Sequence, residues 1–573
     1  MADKPNMPYT DAIIHEIQRA GNTVPLGFPK RASRDATLGR YLIPKGTAVS
    51  TNLSSVFNDK TEWETPDTFN PGHFLDDQGQ FRKRDAFLPF SAGRRVCIGE
   101  MLARIELFLV FTSLLQCFSF APGPGEKLSL EGLMGFMYVF DHLTEEYGDI
   151  FSLRRGSTKI VYVSGYKMVK EALVTQVESF ARCVTPLFSE IYGGRGLSFS
   201  NGYSWRKQQQ FAVGHLKNFG EGKKTLEHHI KQECHFLCEA FKEEQGHPFD
   251  PLVKINNAVA NVIGTLVFGQ RYEYDDIQFQ KLLRMSAESV HLTGSVWNEW
   301  YDAFPSIMSR IPGPHHTIIT NYRRLAAFLK EKIEKHKLDW NPNEPRDYID
   351  SYLAEIEKRK NDKEAQFDLD NLAWCTVDLF EGGTGTTTTT LRWALLYMMK
   401  YPLIQEKVQE EIDCMIGRSR LSTLADKASM PYTNAVLHEV HRKGNIVPLN
   451  MSRVAIKDTT LGSYFIPKGT VMITNLSSVL NDKREWETPD AFNPGHFLDS
   501  GGHFRKRDAF FPFSAGKRLC PGEYFARVEL FLLFTILLQT FTFCPPPGEE
   551  PSLDSHLGFT QAPLPYKLCA VPR

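Results

Sequence analysis

A chain of 573 residues is too long for one small domain, so several structural units are expected. Apolar residues make up 42% and charged residues 23%, ordinary globular usage that argues against wholesale disorder. Lys plus Arg number 66 against 67 Asp plus Glu, a net charge of −1, which removes the bulk electrostatic case for a nucleic-acid binder. No apolar run reaches the ~18 residues of a membrane-spanning helix, and the start, MADKPNMPYT, has no charged-then-apolar signal pattern. The expectation is a chain that does not cross a bilayer unaided. The cysteines are scattered without a CxxC pair, which suggests reduced thiols facing the cytosol.

The chain repeats itself. MPYTDAIIHEIQRAGNTVPL from Met7 returns as MPYTNAVLHEVHRKGNIVPL from Met430, and Tyr41–Glu100 matches Tyr464–Glu523 without a gap at 46 of 60 positions. Copy one closes in the Gly/Pro-rich run Ala121–Gly132, which reads as a linker or loop. Copy two follows the unique stretch without such a break. Residues 133–573 are therefore expected to form one domain, and 1–132 a second copy of its C-terminal part.

In chain order from residue 133, helical spacing appears in LTEEYGDIF and, after the strand-like TKIVYVSG, in NNAVANVIGTLVFG and NYRRLAAFLKEKIEKH. Cys234 and Cys238, with His228, His229 and His235, have helical metal-ligand spacing, but a buried helix face explains them more simply. Next comes Leu379-Phe380-Glu381-Gly382-Gly383-Thr384-Gly385-Thr386-Thr387, poor helix formers flanked by apolar helical segments. A long helix weakened at its middle suggests a kink where a ligand or water enters the backbone ladder. A phosphate loop is excluded because no lysine follows the glycines. After the helical LIQEKVQEEIDCMIG, Glu439 and Arg442 lie three apart on one helical face, by itself a weak signal. The alternating IPKGTVMITN reads as a strand, and ARVELFLLFTILLQTF as a final helix. The fold class expected is mainly α with small β-sheets.

Between those last two segments lies FPFSAGKRLCPGE, in which Cys520 precedes a helix, with Lys517 and Arg518 nearby. A thiolate there is stabilised as an anion, able to ligate a metal or haem iron or to act as a nucleophile. Taken alone, a cysteine is more often a small buried hydrophobe. The spacing Phe513-x-x-Gly516-x-Arg518-x-Cys520-x-Gly522 resembles the haem-thiolate signature of the cytochrome P-450 superfamily. It recurs at Phe90, Gly93, Arg95, Cys97 and Gly99.

Further motifs fit that resemblance, which is strongest to the microsomal family 2 and within it to subfamily J. It implies Cys520 (Cys97 in the duplicate) as axial ligand of haem b, with Trp205, Arg453, Phe513 and Arg518 around the cofactor. Glu439, Arg442 and His496 would form a buried structural triad, repeated as Glu16, Arg19 and His73. Thr386 would be the catalytic threonine that positions a proton-delivering water. The sequence departs from the pattern at Gly385, where an acid is usual, at Gly382 and Glu381, at Gln209 in place of a propionate-binding arginine, and at Lys30, where copy two has Arg453.

The implied reaction inserts one oxygen of O2 into lipophilic substrates, polyunsaturated fatty acids or xenobiotics, by epoxidation or hydroxylation. Electrons would come from NADPH through NADPH-cytochrome P-450 reductase, with cytochrome b5 as a second partner. The chain lacks a dinucleotide fingerprint, in keeping with a reductant held elsewhere. The basic residues Lys506, Arg507, Lys517 and Arg518 could form a docking face for an acidic donor. The implied location is the cytosolic face of the endoplasmic reticulum, without the N-terminal anchor of relatives, with Phe304–Ile319 as a peripheral membrane contact. The rival reading is a haem-binding but catalytically impaired or non-enzymatic fusion product. Cys520 rather than Cys97 is expected to hold haem, because its connection to the scaffold closes a shorter loop.

Overall fold

The computed structural model describes residues 4–21, 30–38, 41–49, 51–66, 68–93, 96–97, 99–117, 143–144, 146–156, 158–221 and 224–573. Arg95 and the Gly/Pro-rich run 121–132 lie outside the described residues, as does the side chain of Lys30. The chain divides into two compact units, Met1–Met134 and Gly135–Arg573.

In the larger unit, helices dominate and small sheets sit beside them. The helix expected over LTEEYGDIF stops by Tyr147, because Gly148 takes φ +86°, and the chain continues as the Ile150–Arg155 strand. That strand opens a five-stranded sheet whose order continues Thr158–Val163, Val471–Thr474, Arg453–Ala455, Phe180–Arg182. Val471–Thr474 pairs parallel with Thr158–Val163, and the other pairings are antiparallel. In the last of these, Arg182 stands opposite Arg453.

At the centre runs the 32-residue helix Leu369–Lys400. Its start is capped by Asp368, whose side chain accepts from Asn371 N–H, and it gives way at Tyr401 before Pro402. It packs on Leu252–Phe268, Pro314–Asp339, Pro431–Gly444 and Glu523–Thr540. Helical structure is continuous from 369 to 400, through the Gly/Thr run. Burial overrides propensity here: Thr387, Thr388, Thr389 and Thr390 are all buried, and Thr386 Oγ1 donates to the Gly382 carbonyl at 2.6 Å. At Gly383 a Cβ would come within 2.5 Å of Ile263 Cδ1, so glycine allows the two helices their close approach.

Helix Glu523–Thr540 is buried along Val528–Gln539, as befits a segment that is apolar on every side. Its counterpart in the smaller unit, Glu100–Cys117, leaves Met101, Leu102, Val110 and Leu115 exposed. That unit has its own small core of Ala12, Trp63, Phe74 and Ala86. No described helix in either unit is long and apolar enough to cross a membrane.

Candidate functional site

The middle of the Leu369–Lys400 helix and the cysteine loop line one cavity of about 350 Å³ in the larger unit. Gly382, Gly383, Gly385, Thr386 and Thr387 contribute from the helix, and Phe513, Arg518, Leu519, Cys520 and Gly522 from the loop. Trp205 reaches the same space from helix Gly202–Glu221. Most of the remaining lining is apolar, including Phe188, Leu216, Ile263 and Val267.

Local geometry explains the loop's residue types. Cys520 N–H donates to the Phe513 carbonyl at 3.0 Å, which folds the loop back on itself and aims the sulfur into the cavity. Gly516 takes φ +73°, and a Cβ there would lie 1.9 Å from the Leu173 carbonyl oxygen, so no other residue fits. Burial pushes the Cys520 thiol up to about 11, although the N–H groups of Gly522 and Glu523 pull the other way. Of the stabilising groups expected from the sequence, the N–H groups at the helix start are in place, whereas Lys517 and Arg518 are engaged elsewhere. Lys517 pairs with Glu178. Arg518 donates to the Ser200 carbonyl (2.9 Å) and Asn201 Oδ1 (2.7 Å), with its guanidinium 3.4 Å over the Trp205 ring.

Arginines dominate one part of the site. Arg182, Arg453 and Arg518 each bury an Nη1 without a hydrogen-bond partner. Burial lowers the pKa of all three: Arg453 to about 10, Arg518 to about 9 with the Arg453 charge adding to it, and Arg182 well below its ordinary value with both neighbours adding. Three desolvated guanidinium groups in one another's field require anions. The two propionates of a haem supply that charge, and the apolar cavity and lone sulfur suit the rest of the macrocycle, so the residues present fit this cofactor. Arg182 was missed by sequence reasoning: it lies in no recognisable motif and joins the cluster only by pairing with the Arg453 strand. Gln209 does not join it; its Nε2 donates to the Lys517 carbonyl at 3.1 Å and ties its helix to the cysteine loop.

Beside the cavity, the triad residues are fully enclosed. Arg442 donates to both carboxylate oxygens of Glu439 (2.7 and 2.8 Å) and to the carbonyls of Leu480, Pro489 and Ala491. Glu439 also accepts from Asn493 N–H at 2.8 Å and lies 3.3 Å from His496 Nδ1. Every charge is paired, which is what allows it to be buried. In the smaller unit Glu16, Arg19 and His73 repeat the arrangement, and Cys97 N–H donates to the Phe90 carbonyl at 2.9 Å.

Two further sequence candidates resolve differently. Cys234 and Cys238 are buried in the core, and the Cys238 thiol contacts Thr540 Oγ1. Of the basic cluster, Arg518 turns inward and Arg507 pairs with Glu487, while Lys506 and Lys517 are exposed, Lys517 in a surface ion pair with Glu178.

The Cytochrome P450 family profile matches residues 1–138 and 125–570. Human cytochrome P450 2J2 is 48% identical over 461 residues, covering 79% of this chain and 92% of that protein. Mouse cytochrome P450 2J5 is 48% identical over 436 residues (76% and 87%), and rat cytochrome P450 2F2 is 40% identical over 478 residues (82% and 97%). With its helical fold, its cysteine loop and its anion-seeking arginines, the chain belongs to the cytochrome P450 family, haem b enzymes that use O2 and NADPH-derived electrons for monooxygenation.

Proposed function

We propose that residues 133–573 are the catalytic domain of a monooxygenase acting on lipophilic substrates, and that 1–132 is a partial duplicate of its C-terminal part. The observation that carries this reading is one cavity lined by a lone cysteine, apolar side chains and the partnerless guanidinium groups of Arg182 and Arg518, with the like-charged Arg453 beside them. Cys520 would ligate the haem iron, with Cys97 its counterpart in the duplicate. Arg182, Arg453 and Arg518 would hold the propionates, with Trp205 as a further propionate donor and Phe513 beside the cofactor. Bound haem supplies the oxygen-activating chemistry.

The chain's own residues do the rest. Apolar side chains exclude bulk water and hold the substrate by burial. Thr386 Oγ1, fixed by its bond to the Gly382 carbonyl, presents lone pairs that accept from a water in the cavity, and this orients the water's second proton. Gly385 has open space beside it and no acid to resupply that proton, which supports a slow, leaky proton delivery. Glu439, Arg442 and His496 hold the cysteine loop's surroundings rather than touch the reaction.

Electrons reach the domain from NADPH-cytochrome P-450 reductase, with cytochrome b5 as an auxiliary donor. The enzyme works at the cytosolic face of the endoplasmic reticulum membrane. Phe304, Ile307 and Ile311, 50%, 58% and 42% exposed, support a peripheral contact there. Absorbance of the reduced carbon monoxide complex tests the assignment. Cys520→Ala should abolish the thiolate-type band and Cys97→Ala should leave it intact; the reverse pattern would move the site to the duplicate.

A further inference from the structure

Glu381 sits in the long helix one residue before Gly382 and lines the cavity. Both its carboxylate oxygens are buried and neither has a hydrogen-bond partner. Ser286, on helix Ile277–Thr293, comes near without completing a bond. The other groups that face it are Asp378 on its own helix, Tyr192 on helix Pro186–Tyr192 and Tyr322 on helix Pro314–Asp339. None of these is a cation.

Asp378, the neighbouring acid, already has a structural task. It accepts from Leu197 N–H (2.6 Å) and Ser198 N–H (3.0 Å) and so pins the loop before the Trp205 helix. The cavity's arginines belong to the cluster described above. Among the described lining residues, Glu381 is the acid whose carboxylate oxygens have no partner. Burial, with the Asp378 charge adding to it, raises its pKa to about 7. An isolated buried carboxylate is expensive, and a cation brought by a ligand removes that expense.

We infer that Glu381 selects lipophilic molecules bearing a protonated amine, pairing with the ammonium end while the apolar body lies along the cavity. A fatty-acid carboxylate in the same position would meet a like charge, so the inference narrows the substrate class within the proposed function. It rests on the reading of this cavity as the substrate site.

The test uses the haem-loaded full chain and two probes of one shape: hexyltrimethylammonium, which has no lone pair to ligate iron, and its uncharged tert-butyl counterpart, 2,2-dimethyloctane. Binding is followed by the shift of the Soret band. Wild type should bind the cation at least tenfold more tightly than the neutral probe, Glu381→Gln should erase that preference, and Glu381→Asp should keep part of it. Equal affinities in wild type, or a preference that survives Glu381→Gln, would overturn the inference while leaving the substrate site in place. If neither probe bound, the cavity reading would fall and the inference with it. Equal wild-type affinities would overturn the inference even if either variant folded poorly.

Discussion

Arg182 and Arg453 stand directly opposite each other in an antiparallel strand pair, two buried guanidinium groups that form no ion pair with any described residue. Like charges placed so oppose strand pairing. On the function proposed above, anions bridge them. The folded chain then tolerates an unfavourable pair in order to grip a dianionic cofactor.

Replacing Arg182 by Leu should therefore have opposite effects on the two forms of the protein. The haem-free chain gains thermal stability because a repulsion is removed. Haem retention falls by roughly 10- to 100-fold, as one charge-assisted hydrogen bond of about 1.5–3 kcal/mol is lost. Melting curves of the haem-free form and haem transfer to an acceptor globin measure the two effects. A variant that retained haem as well as wild type would show that Arg182 holds no propionate.

Removal of one partner from the enclosed triad should be severe. Arg442→Leu leaves Glu439 charged and buried, at a cost of about 3–5 kcal/mol. Loss of bound haem and an earlier denaturant midpoint are expected. The same change at Arg19 should leave the carbon monoxide difference spectrum of the full chain unaltered, because that triad belongs to the other unit.

Glycines in the site divide into two kinds. Gly516→Ala drives a Cβ into the Leu173 carbonyl and should prevent the cysteine loop from closing, giving protein without a Soret band. Gly385→Ala meets nothing within 4 Å and replaces a poor helix former. It should stabilise the protein by up to about 1 kcal/mol with haem retained. Chemical denaturation followed by far-ultraviolet dichroism distinguishes the two outcomes.

The raised pKa of Glu381 links stability to pH. With a folded-state value of about 7 against an ordinary 4.5, its contribution is fully present below about pH 4.5 and is lost as pH rises through 7. The loss amounts to about 3 kcal/mol. Glu381→Gln, which never ionises, should thus be more stable than wild type at pH 8 and no more stable at pH 5. An equal difference at both pH values would contradict the assignment.

Proton delivery gives a kinetic prediction. With glycine before Thr386, NADPH consumption supported by the reductase should be accompanied by peroxide release. Gly385→Glu restores an acid in open space and should raise the product formed per NADPH severalfold. Product and peroxide quantified in the same reactions provide the check, and an unchanged ratio would show that the missing acid is not the leak.

Much of this protein is legible in one dimension because the relevant relationships are local. Phe513, Gly516 and Cys520 are joined by a single tight loop, and Glu439 and Arg442 meet because residues three apart share a helical face. Hydrophobic periodicity likewise located Leu252–Phe268 and Glu523–Thr540. Across the Gly/Thr run the helix continues in spite of poor propensity, which counts weakly once tertiary packing holds a segment. Beside Cys520, spacing likewise announces nearby cations but not that Lys517 and Arg518 are engaged elsewhere.

Sequence alone determined the duplicated organisation, the helical fold class, the cysteine loop and the Glu439–Arg442 pair, each written in short-range spacing or in direct repetition. Tertiary structure decided that Arg182 stands against Arg453, that Glu381 is left without a partner inside an apolar cavity, and that the copy-one helix exposes what its counterpart buries. Those outcomes depend on which distant segments come together, and on the water that their meeting expels. Neither is encoded in the neighbours of any one residue.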